Sequence, residues 1–376
     1  MRVIMTGGGT GGHVNPAIAI ANTIKRNEPD SEIIFVGTKH GIENKLTKAE
    51  GYEIRHVDIM GIRRSLSPKN IKAFYLALVS PIRAKRLVRE FNPDIVIGTG
   101  GYVCWPVLVA AAKLGIPTVV HESNAFPGVA VRKLQPYVDR ILLNFKESEK
   151  YLSAKDKLMH VGNPLRDSFS VIDKESAKRK LGIDGYDSFI LSYGGSLGAE
   201  KVNEACLALM RDYVKDNPKV LHLHASGAIE REASLNMLRE YGLDKCENIK
   251  LVEYIYDMPI QMAAADLVIS RAGAMTVSEL AMQKKASIMI PSPNVTNNHQ
   301  YKNAKVIEDM GGTVIIEEKE LSGNRLQCEV SKILLDKGLQ EKMGENISQF
   351  ADLNANKLIY DEVKRLSAER KRGSCQ

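Results

Sequence analysis

The sequence predicts an α/β protein made of two similar halves, each a parallel sheet covered by helices. Three observations carry this. Short apolar segments alternate with longer helical patterns along most of the chain, the rhythm of a parallel sheet with crossover helices. A plan of strand, glycine loop and helix opens the chain at residues 3–21 and returns near its middle, from residue 189 onward. The length, 376 residues, suits two domains rather than one.

In the first half, strands are expected at residues 3–6, 33–36, 54–58, 94–98, 118–121 and 140–143. The first runs into Gly7-Gly8-Gly9-Thr10-Gly11-Gly12-His13, and a buried helical pattern follows. Glycine lets the backbone turn tightly and approach a ligand. A helix start adds unpaired N–H groups and a partial positive charge, so the loop reads as an anion site. His13 is the one titratable group at its mouth. Gly7-x-Gly9-x-x-Gly12 also matches the dinucleotide fingerprint, which expects an acid at the end of the second strand. That strand instead ends in Gly37-Thr38-Lys39, and Asp30 and Glu32 stand at its start. A phosphate or diphosphate therefore fits the loop better than a nicotinamide cofactor. The fourth strand runs into a second cluster, Gly98-Thr99-Gly100-Gly101-Tyr102. Ligands of doubly wound sheets sit beyond the carboxyl ends of the strands, so the two loops are expected to line one crevice.

Residues 62–91 carry eight basic side chains (Arg63, Arg64, Lys69, Lys72, Arg83, Lys85, Arg86, Arg89) against one acid, Glu90. This excess equals the net charge of the whole chain, +7. Ile71, Phe74, Tyr75, Leu78 and Ile82 recur at helical spacing, with Pro81 expected to bend or break the run. The segment is either a helix packing its apolar side on the sheet or a surface that meets an anionic membrane. No transmembrane segment is expected, because the most apolar stretch, 103–112, is short and broken by Pro106. Nor does the start of the chain read as a signal peptide. Five scattered cysteines without a CxxC pair suggest neither a disulfide scaffold nor a zinc site.

A linker is expected near Val161-Gly162-Asn163-Pro164. Beyond it, Gly194-Gly195-Ser196-Leu197-Gly198-Ala199 follows a strand, and further strands are expected at 220–224, 249–252, 267–270, 287–290 and 313–316. Arg271-Ala272-Gly273-Ala274 permits close ligand approach, and a helix is expected from Thr276. Glu279 in that helix is either a ribose-binding carboxylate or a residue that favours the helix dipole. His121-Glu122-Ser123-Asn124 is expected to turn its polar groups to the crevice or to serve the turn. Arg166 stands near the linker, and Asn298-His299-Gln300 forms a polar cluster after a strand. Residues 339–372 read as helical.

Together these motifs, in this order and over nearly the whole chain, resemble the MurG family of bacterial cell-wall N-acetylglucosaminyltransferases. The resemblance implies the GT-B architecture: two Rossmann-like lobes whose parallel sheets face across a cleft. It implies an acceptor and membrane-associating domain over 1–163, a UDP-sugar domain over 164–340, and a helical segment, 341–376, packing back on the first domain. The implied reaction moves N-acetylglucosamine from UDP-N-acetylglucosamine to the muramoyl 4-hydroxyl of lipid I, with inversion, at the cytoplasmic face of the membrane. Residues implied to touch the donor are Thr10, Gly11, Gly12, Asn124, Arg166, Ser196, Ile255, Ala274, Met275, Thr276, Val277, Ser278, Glu279 and Gln300. Of these, Ile255 would meet uracil, Ser196 and the helix start near Thr276 the diphosphate, Glu279 the ribose, and Asn124 and Gln300 the sugar. Gly7, Gly8, Gly9, Gly100, Gly101 and Tyr102 would face the acceptor diphosphate. Asn15, Cys104 and His299 depart from the Phe, Ser and Gln of some members.

The chemistry of the residues agrees. A sugar hydroxyl needs a base, and His13 is the candidate because a neutral imidazole is available near pH 7. Helix starts, Ser196 and Arg166 can take up charge on a leaving UDP. Without an Asp-x-Asp pair in the glycine-loop regions, no essential metal or other cofactor is expected. Expected partners are anionic phospholipid and other cell-wall synthesis and division proteins, and not nucleic acid. Competing readings are a UDP-N-acetylglucosamine epimerase or other UDP-sugar transferase of the same fold, a nicotinamide oxidoreductase, and a non-enzymatic sugar-nucleotide binder.

Overall fold

The computed structural model describes residues 1–61, 69–169 and 172–373. Residues 62–68, with Arg63 and Arg64 of the basic segment, lie outside the described residues, as does Cys375. The chain divides into two compact units, Met1–Leu165 with Asp352–Gln376, and Arg166–Ala351.

The first unit is built on a parallel sheet. Its strands are β1 (Arg2–Thr6), β2 (Glu32–Gly37), β3 (Glu53–His56), β4 (Ile95–Gly98), β5 (Thr118–Glu122), β6 (Arg140–Leu143) and β7 (Leu158–His160), in the order β3-β2-β1-β4-β5-β6-β7. Alternate side chains leave a strand on opposite faces, and here both faces are covered. Val3, Met5, Ile33, Phe35, Ile95 and Ile97 pack with the helices Gly11–Asn27 and Ala355–Gly373. Ile4, Ile34, Val36 and Val96 pack on the other side with Lys69–Phe91 and Cys104–Ala112. Double coverage is why the central strands read as unbroken apolar runs. β7 has no counterpart among the expected strands, being three residues long and only half-buried.

The expected helical stretch 339–372 is two helices, Lys337–Ser348 and Ala355–Gly373, and only the second belongs to the first unit. Its Ile359, Val363 and Leu366 enter that unit's core. Glu362 accepts from Arg140 Nε at 2.6 Å, and the Tyr360 hydroxyl reaches Glu28 at 3.1 Å.

Pro81 does not interrupt its helix, which runs unbroken over Lys69–Phe91. Proline lacks the N–H that would bond the carbonyl four residues back, here that of Ala77. The indole of Trp105 supplies the missing donor, with Nε1 2.9 Å from the Ala77 oxygen. Ala73, Ser80, Pro81, Ala84, Val88 and Phe91 are buried among the described residues of this helix, whereas Ile71, Tyr75, Leu78 and Ile82 are 57–77% exposed. Four of the five apolar residues picked out by spacing therefore point outward, and the Phe74 side chain lies outside the described residues.

The second unit repeats the plan with β8 (Ser188–Tyr193), β9 (Val220–Ala225), β10 (Ile249–Val252), β11 (Leu267–Ser270), β12 (Ser287–Met289) and β13 (Val314–Ile315), in the order β10-β9-β8-β11-β12-β13. All registered strand pairs in both sheets are parallel. In each unit the strand order reverses at the strand before the first glycine loop, β1 or β8, which puts each loop at a topological switch point.

Candidate active site

In the first unit, β1 leads into the glycine loop and the helix Gly11–Asn27, with Thr10 in extended conformation at its cap. The first turn holds no acid, although the Glu43 carboxylate stands against Gly8 and Gly9 of the loop before it. His13 lies in that first turn. Its Nδ1 is 3.1 Å from the Gly8 carbonyl and 3.3 Å from Thr10 Oγ1. A carbonyl only accepts, so Nδ1 carries the proton and the lone pair is left on Nε2.

The second glycine loop packs directly on the first. Thr99 Oγ1 donates to the His13 carbonyl at 2.6 Å. Gly100 and Gly101 have φ of +104° and +82°, and a Cβ on Gly100 would stand 2.7 Å from His13 Cδ2. A Cβ on Gly101 would stand 2.3 Å from the Gly8 oxygen, and one on Gly7 2.2 Å from Thr99 Oγ1. Side chains are excluded here because loop meets loop around the imidazole. The Tyr102 ring, partly exposed, covers Gly9, and Cys104 Sγ donates to the Thr6 and Gly100 carbonyls.

Sequence reasoning missed Glu43. Its side chain is 1% exposed, and its carboxylate accepts from Thr38 N at 2.9 Å, Thr38 Oγ1 at 2.8 Å and Gly9 N at 3.2 Å. Burial pushes its pKa up, but these donors outweigh that and hold it below the usual value. The carboxylate returns to the end of β2, where a ribose-binding acid of a dinucleotide fold would stand, yet its oxygens serve the protein's own loop. The only sequence signal is the glycines around it, Gly8, Gly37 and Gly41, where any Cβ would strike it.

His121 and Glu122 do not face a crevice. They are 0% and 4% exposed. Burial drives the His121 pKa down to about 4, so the ring is neutral, with Nε2 donating to the Gly162 carbonyl at 2.9 Å. Glu122 accepts from Asn124 N, Asn124 Nδ2 and Gly128 N at 2.7–3.0 Å. Its contribution is to hold the loop that presents Asn124.

In the second unit, a cavity of about 450 Å³ lies against Gly194, Gly195, Gly273, Thr276 and Gln300. The helix beside it is Ala274–Met282, capped by Gly273. It starts two residues earlier than the expected Thr276, because Gly273 in extended conformation is the cap. Ala274, Met275 and Thr276 are thus its first turn, followed by Val277, Ser278 and Glu279. Gln300 accepts from Ser292 N at 2.9 Å through Oε1, so its amide N–H groups are the part left to bind elsewhere. Ser196 is exposed on the glycine loop, and its carbonyl accepts from Ala228 N. Gly198 cannot carry a side chain: its φ is +95° and a Cβ would stand 2.3 Å from the Ser226 oxygen.

Burial raises the Glu279 pKa to about 8, and the nearby Arg166 guanidinium opposes the shift. Arg166 and Glu279 thus share one electrostatic neighbourhood, while Ile255 is buried between exposed Tyr254 and Tyr256. Ser196, Arg166, Ile255 and Glu279 do not line the cavity itself. Thr10, Gly11, Gly12 and Asn124 belong to the first unit, and the remaining candidate donor residues to the second. No group of three His, Cys, Asp or Glu side chains among the described residues could hold a metal ion.

Comparison with known proteins places this geometry. The glycosyltransferase family 28 N-terminal domain matches residues 3–143, and the family 28 C-terminal domain matches residues 189–358. A curated relative from Acetivibrio thermocellus is 42% identical, covering 97% of this chain and 98% of its own length. It is named UDP-N-acetylglucosamine–N-acetylmuramyl-(pentapeptide) pyrophosphoryl-undecaprenol N-acetylglucosamine transferase. Among solved structures, Acinetobacter baumannii MurG superimposes with a TM-score of 0.74 at 28% identity, covering 97% of this chain and 99% of that one. A UDP-GlcNAc 2-epimerase from Neisseria meningitidis shares the fold, with a TM-score of 0.67 over 97% of this chain and 100% of its own, but at 15% identity. That likeness shows architecture alone. With both family 28 domains present and a curated transferase matched end to end, the chain belongs to the MurG family of N-acetylglucosamine transferases.

Proposed function

We propose that the chain transfers N-acetylglucosamine from UDP-N-acetylglucosamine to the muramoyl 4-hydroxyl of lipid I, inverting the anomeric centre. The observation that carries the mechanism is the His13 ring, whose Nδ1–H on the Gly8 carbonyl leaves Nε2 as the base. The acceptor hydroxyl gives its proton to Nε2 as its oxygen attacks the anomeric carbon. The bond from that carbon to the diphosphate breaks, and UDP leaves with the electron pair. Charge on the diphosphate meets backbone N–H groups of the Gly194–Ala199 loop and the start of Ala274–Met282, joined by Ser196 and Arg166. Glu279 takes the ribose, Ile255 the uracil, and Asn124 and Gln300 the sugar, with Thr10–Gly12 completing the donor contacts. Gly7–Gly9 and Gly100–Tyr102 receive the acceptor diphosphate.

The protein works at the cytoplasmic face of the membrane as a peripheral protein. The support is the outward row Ile71, Tyr75, Leu78 and Ile82 beside Arg83, Lys85, Arg86 and Arg89 on one helix. No helix among the described residues is long and apolar enough to cross a bilayer. An amphipathic basic helix of this kind lies in an anionic interface. Partnership with other cell-wall synthesis and division proteins rests on family membership alone. The test is radiolabelled UDP-N-acetylglucosamine with a lipid I analogue. Label moving to the lipid fraction is expected; an epimerised nucleotide sugar or no turnover refutes the reading.

A further inference from the structure

A chain of polar side chains runs through the core of the second sheet. Ser192 on β8 and His224 on β9 are paired in the register, and Ser192 Oγ lies 2.7 Å from both His224 Nδ1 and His222 Nε2. His224 Nε2 continues to Asn203 Oδ1 at 3.0 Å, on the helix Glu200–Leu209. Asn203 Nδ2 donates to the Ser226 carbonyl at 2.9 Å. Ser192, His222, His224 and Asn203 are all buried. The last member sets the direction of every bond. A carbonyl only accepts, so the Asn203 amide turns its nitrogen to Ser226 and its oxygen to His224. His224 Nε2 therefore carries the proton. Burial holds the His224 pKa down to about 4, so the ring is neutral and Nδ1 accepts. The Ser192 hydroxyl donates to Nδ1 and accepts in turn from His222 Nε2.

The chain ends at the diphosphate loop of the donor-site reading above, on which this inference rests. A Cβ on Gly198 would stand 2.3 Å from the Ser226 oxygen, and one on Gly227 would stand 2.1 Å from Gly198 N. Ala228 N donates to the Ser196 carbonyl at 3.2 Å, and Ile229 N to the Leu197 carbonyl at 3.1 Å. The turn over residues 226–229 is thus the surface against which the Gly194–Ala199 loop is shaped. Ile190, Val202, Cys206 and Leu207 fill the same core with apolar side chains. Such residues in place of the polar chain would bury no donor or acceptor. They would also leave the Ser226 turn without a fixed partner, whereas a satisfied polar network specifies one arrangement.

We propose that His224 is a positioning residue for donor binding: by orienting the Asn203 amide it holds the turn over residues 226–229, and through that turn the backbone N–H groups that receive the diphosphate. The imidazole is 0% exposed and acts only through Asn203.

His224→Phe in the full chain removes both bonds of the ring. His224→Gln, whose amide can replace the Nε2 bond to Asn203, is the conservative variant. Both are tested by calorimetry with UDP and uridine, by hydrogen exchange at the Ala228 and Ile229 amides, and by a melting curve that checks folding. In His224→Phe, UDP affinity should fall roughly five- to thirtyfold, the scale of one or two hydrogen bonds. Uridine, which lacks phosphate, should bind within about twofold of the parent. The Ala228 and Ile229 amides, which bond the loop, should exchange roughly tenfold faster or more. His224→Gln should keep UDP affinity within about threefold. A folded His224→Phe variant with UDP affinity within twofold of the parent overturns the proposal, as does an equal loss for uridine and UDP. Unchanged exchange at the two amides overturns it too, and so does a glutamine variant as weak as the phenylalanine one. Where His224→Phe does not fold, Ser192→Ala, which removes only the hydroxyl bonded to Nδ1, takes its place; parental UDP affinity and parental exchange then overturn the proposal. The parent separates the two levels. If it binds UDP no more tightly than uridine, the donor-site reading itself falls. If it discriminates and His224→Phe discriminates equally, only the His224 assignment fails.

Discussion

Gly101→Ala adds one methyl group where the two glycine loops touch. The backbone there has φ +82°, which costs an alanine about 1–2 kcal/mol. The larger effect is steric. The new carbon would stand 2.3 Å from the Gly8 oxygen and 3.2 Å from His13 Nδ1. A carbon rests at about 3.3 Å or more from a carbonyl oxygen, so the Gly8 carbonyl must retreat by roughly 1 Å. That oxygen is the acceptor holding Nδ1 at 3.1 Å, and a retreat of that size takes the pair outside hydrogen-bond range. The imidazole then loses the contact that keeps its lone pair on Nε2. Misplacing a reacting group by about 1 Å costs on the order of 10² in rate. We expect kcat to fall roughly a hundredfold with both substrates saturating, while UDP affinity measured by calorimetry stays within about twofold. A melting curve and circular dichroism check that the variant is folded. A folded variant with kcat within threefold of the parent would show that the Gly8 contact does not set the base. A parallel loss of UDP affinity would show that the loop serves the donor instead.

Four further outcomes are expected. His13→Ala should lower kcat by roughly two to four orders of magnitude, the worth of a general base, with UDP affinity little changed; near-normal turnover removes His13 from that role. Measured above pH 8, where the carboxyl is ionised, Glu279→Ala should weaken UDP binding by about 1.5–3 kcal/mol, the scale of a charged hydrogen bond, and should blunt discrimination against 2′- and 3′-deoxyribose donors. The same carboxyl predicts a pH effect. Its folded pKa, about 8, lies above its ordinary value of 4.5, so its contribution to stability is complete below about 4.5 and is lost as pH rises toward 8. The urea midpoint of Glu279→Gln relative to the parent should therefore climb across that window and level off above it; a flat difference contradicts the burial of this group. Finally, Arg83, Lys85, Arg86 and Arg89 changed together to glutamine should reduce binding to anionic vesicles and activity on membrane-embedded acceptor, because each cation near such a leaflet contributes about 1 kcal/mol before salt screening. Activity on a short soluble acceptor should largely survive, and equal loss on both acceptors defeats the membrane assignment.

What could be read from the sequence was whatever the chain states locally. Strands covered on both faces announce themselves as apolar runs, and glycines at positive φ mark the loops they build, so the two sheets and their switch points were legible. Features that depend on a distant partner were not. Pro81 signals a helix break by every local rule, and only the Trp105 indole reverses it. Glu43 lies beyond the end of β2, and only the glycines at 8, 37 and 41 mark the space its carboxylate takes when it folds back onto Gly9. His121 and Glu122 read as polar groups at a strand end, which suggests exposure, until Gly162 and Gly128 bury them.

The bond between Trp105 and Ala77 has a practical consequence. Trp105 is the single tryptophan of the chain. Its ring is tied at one end to the helix carrying the outward apolar row, and it meets Tyr137 edge-on with ring centroids 5.7 Å apart. The tryptophan emission, excited selectively over the thirteen tyrosines, therefore originates directly behind the surface proposed to meet lipid. Emission wavelength and quenching depth can follow that helix as vesicles are titrated in, with no label and no substitution.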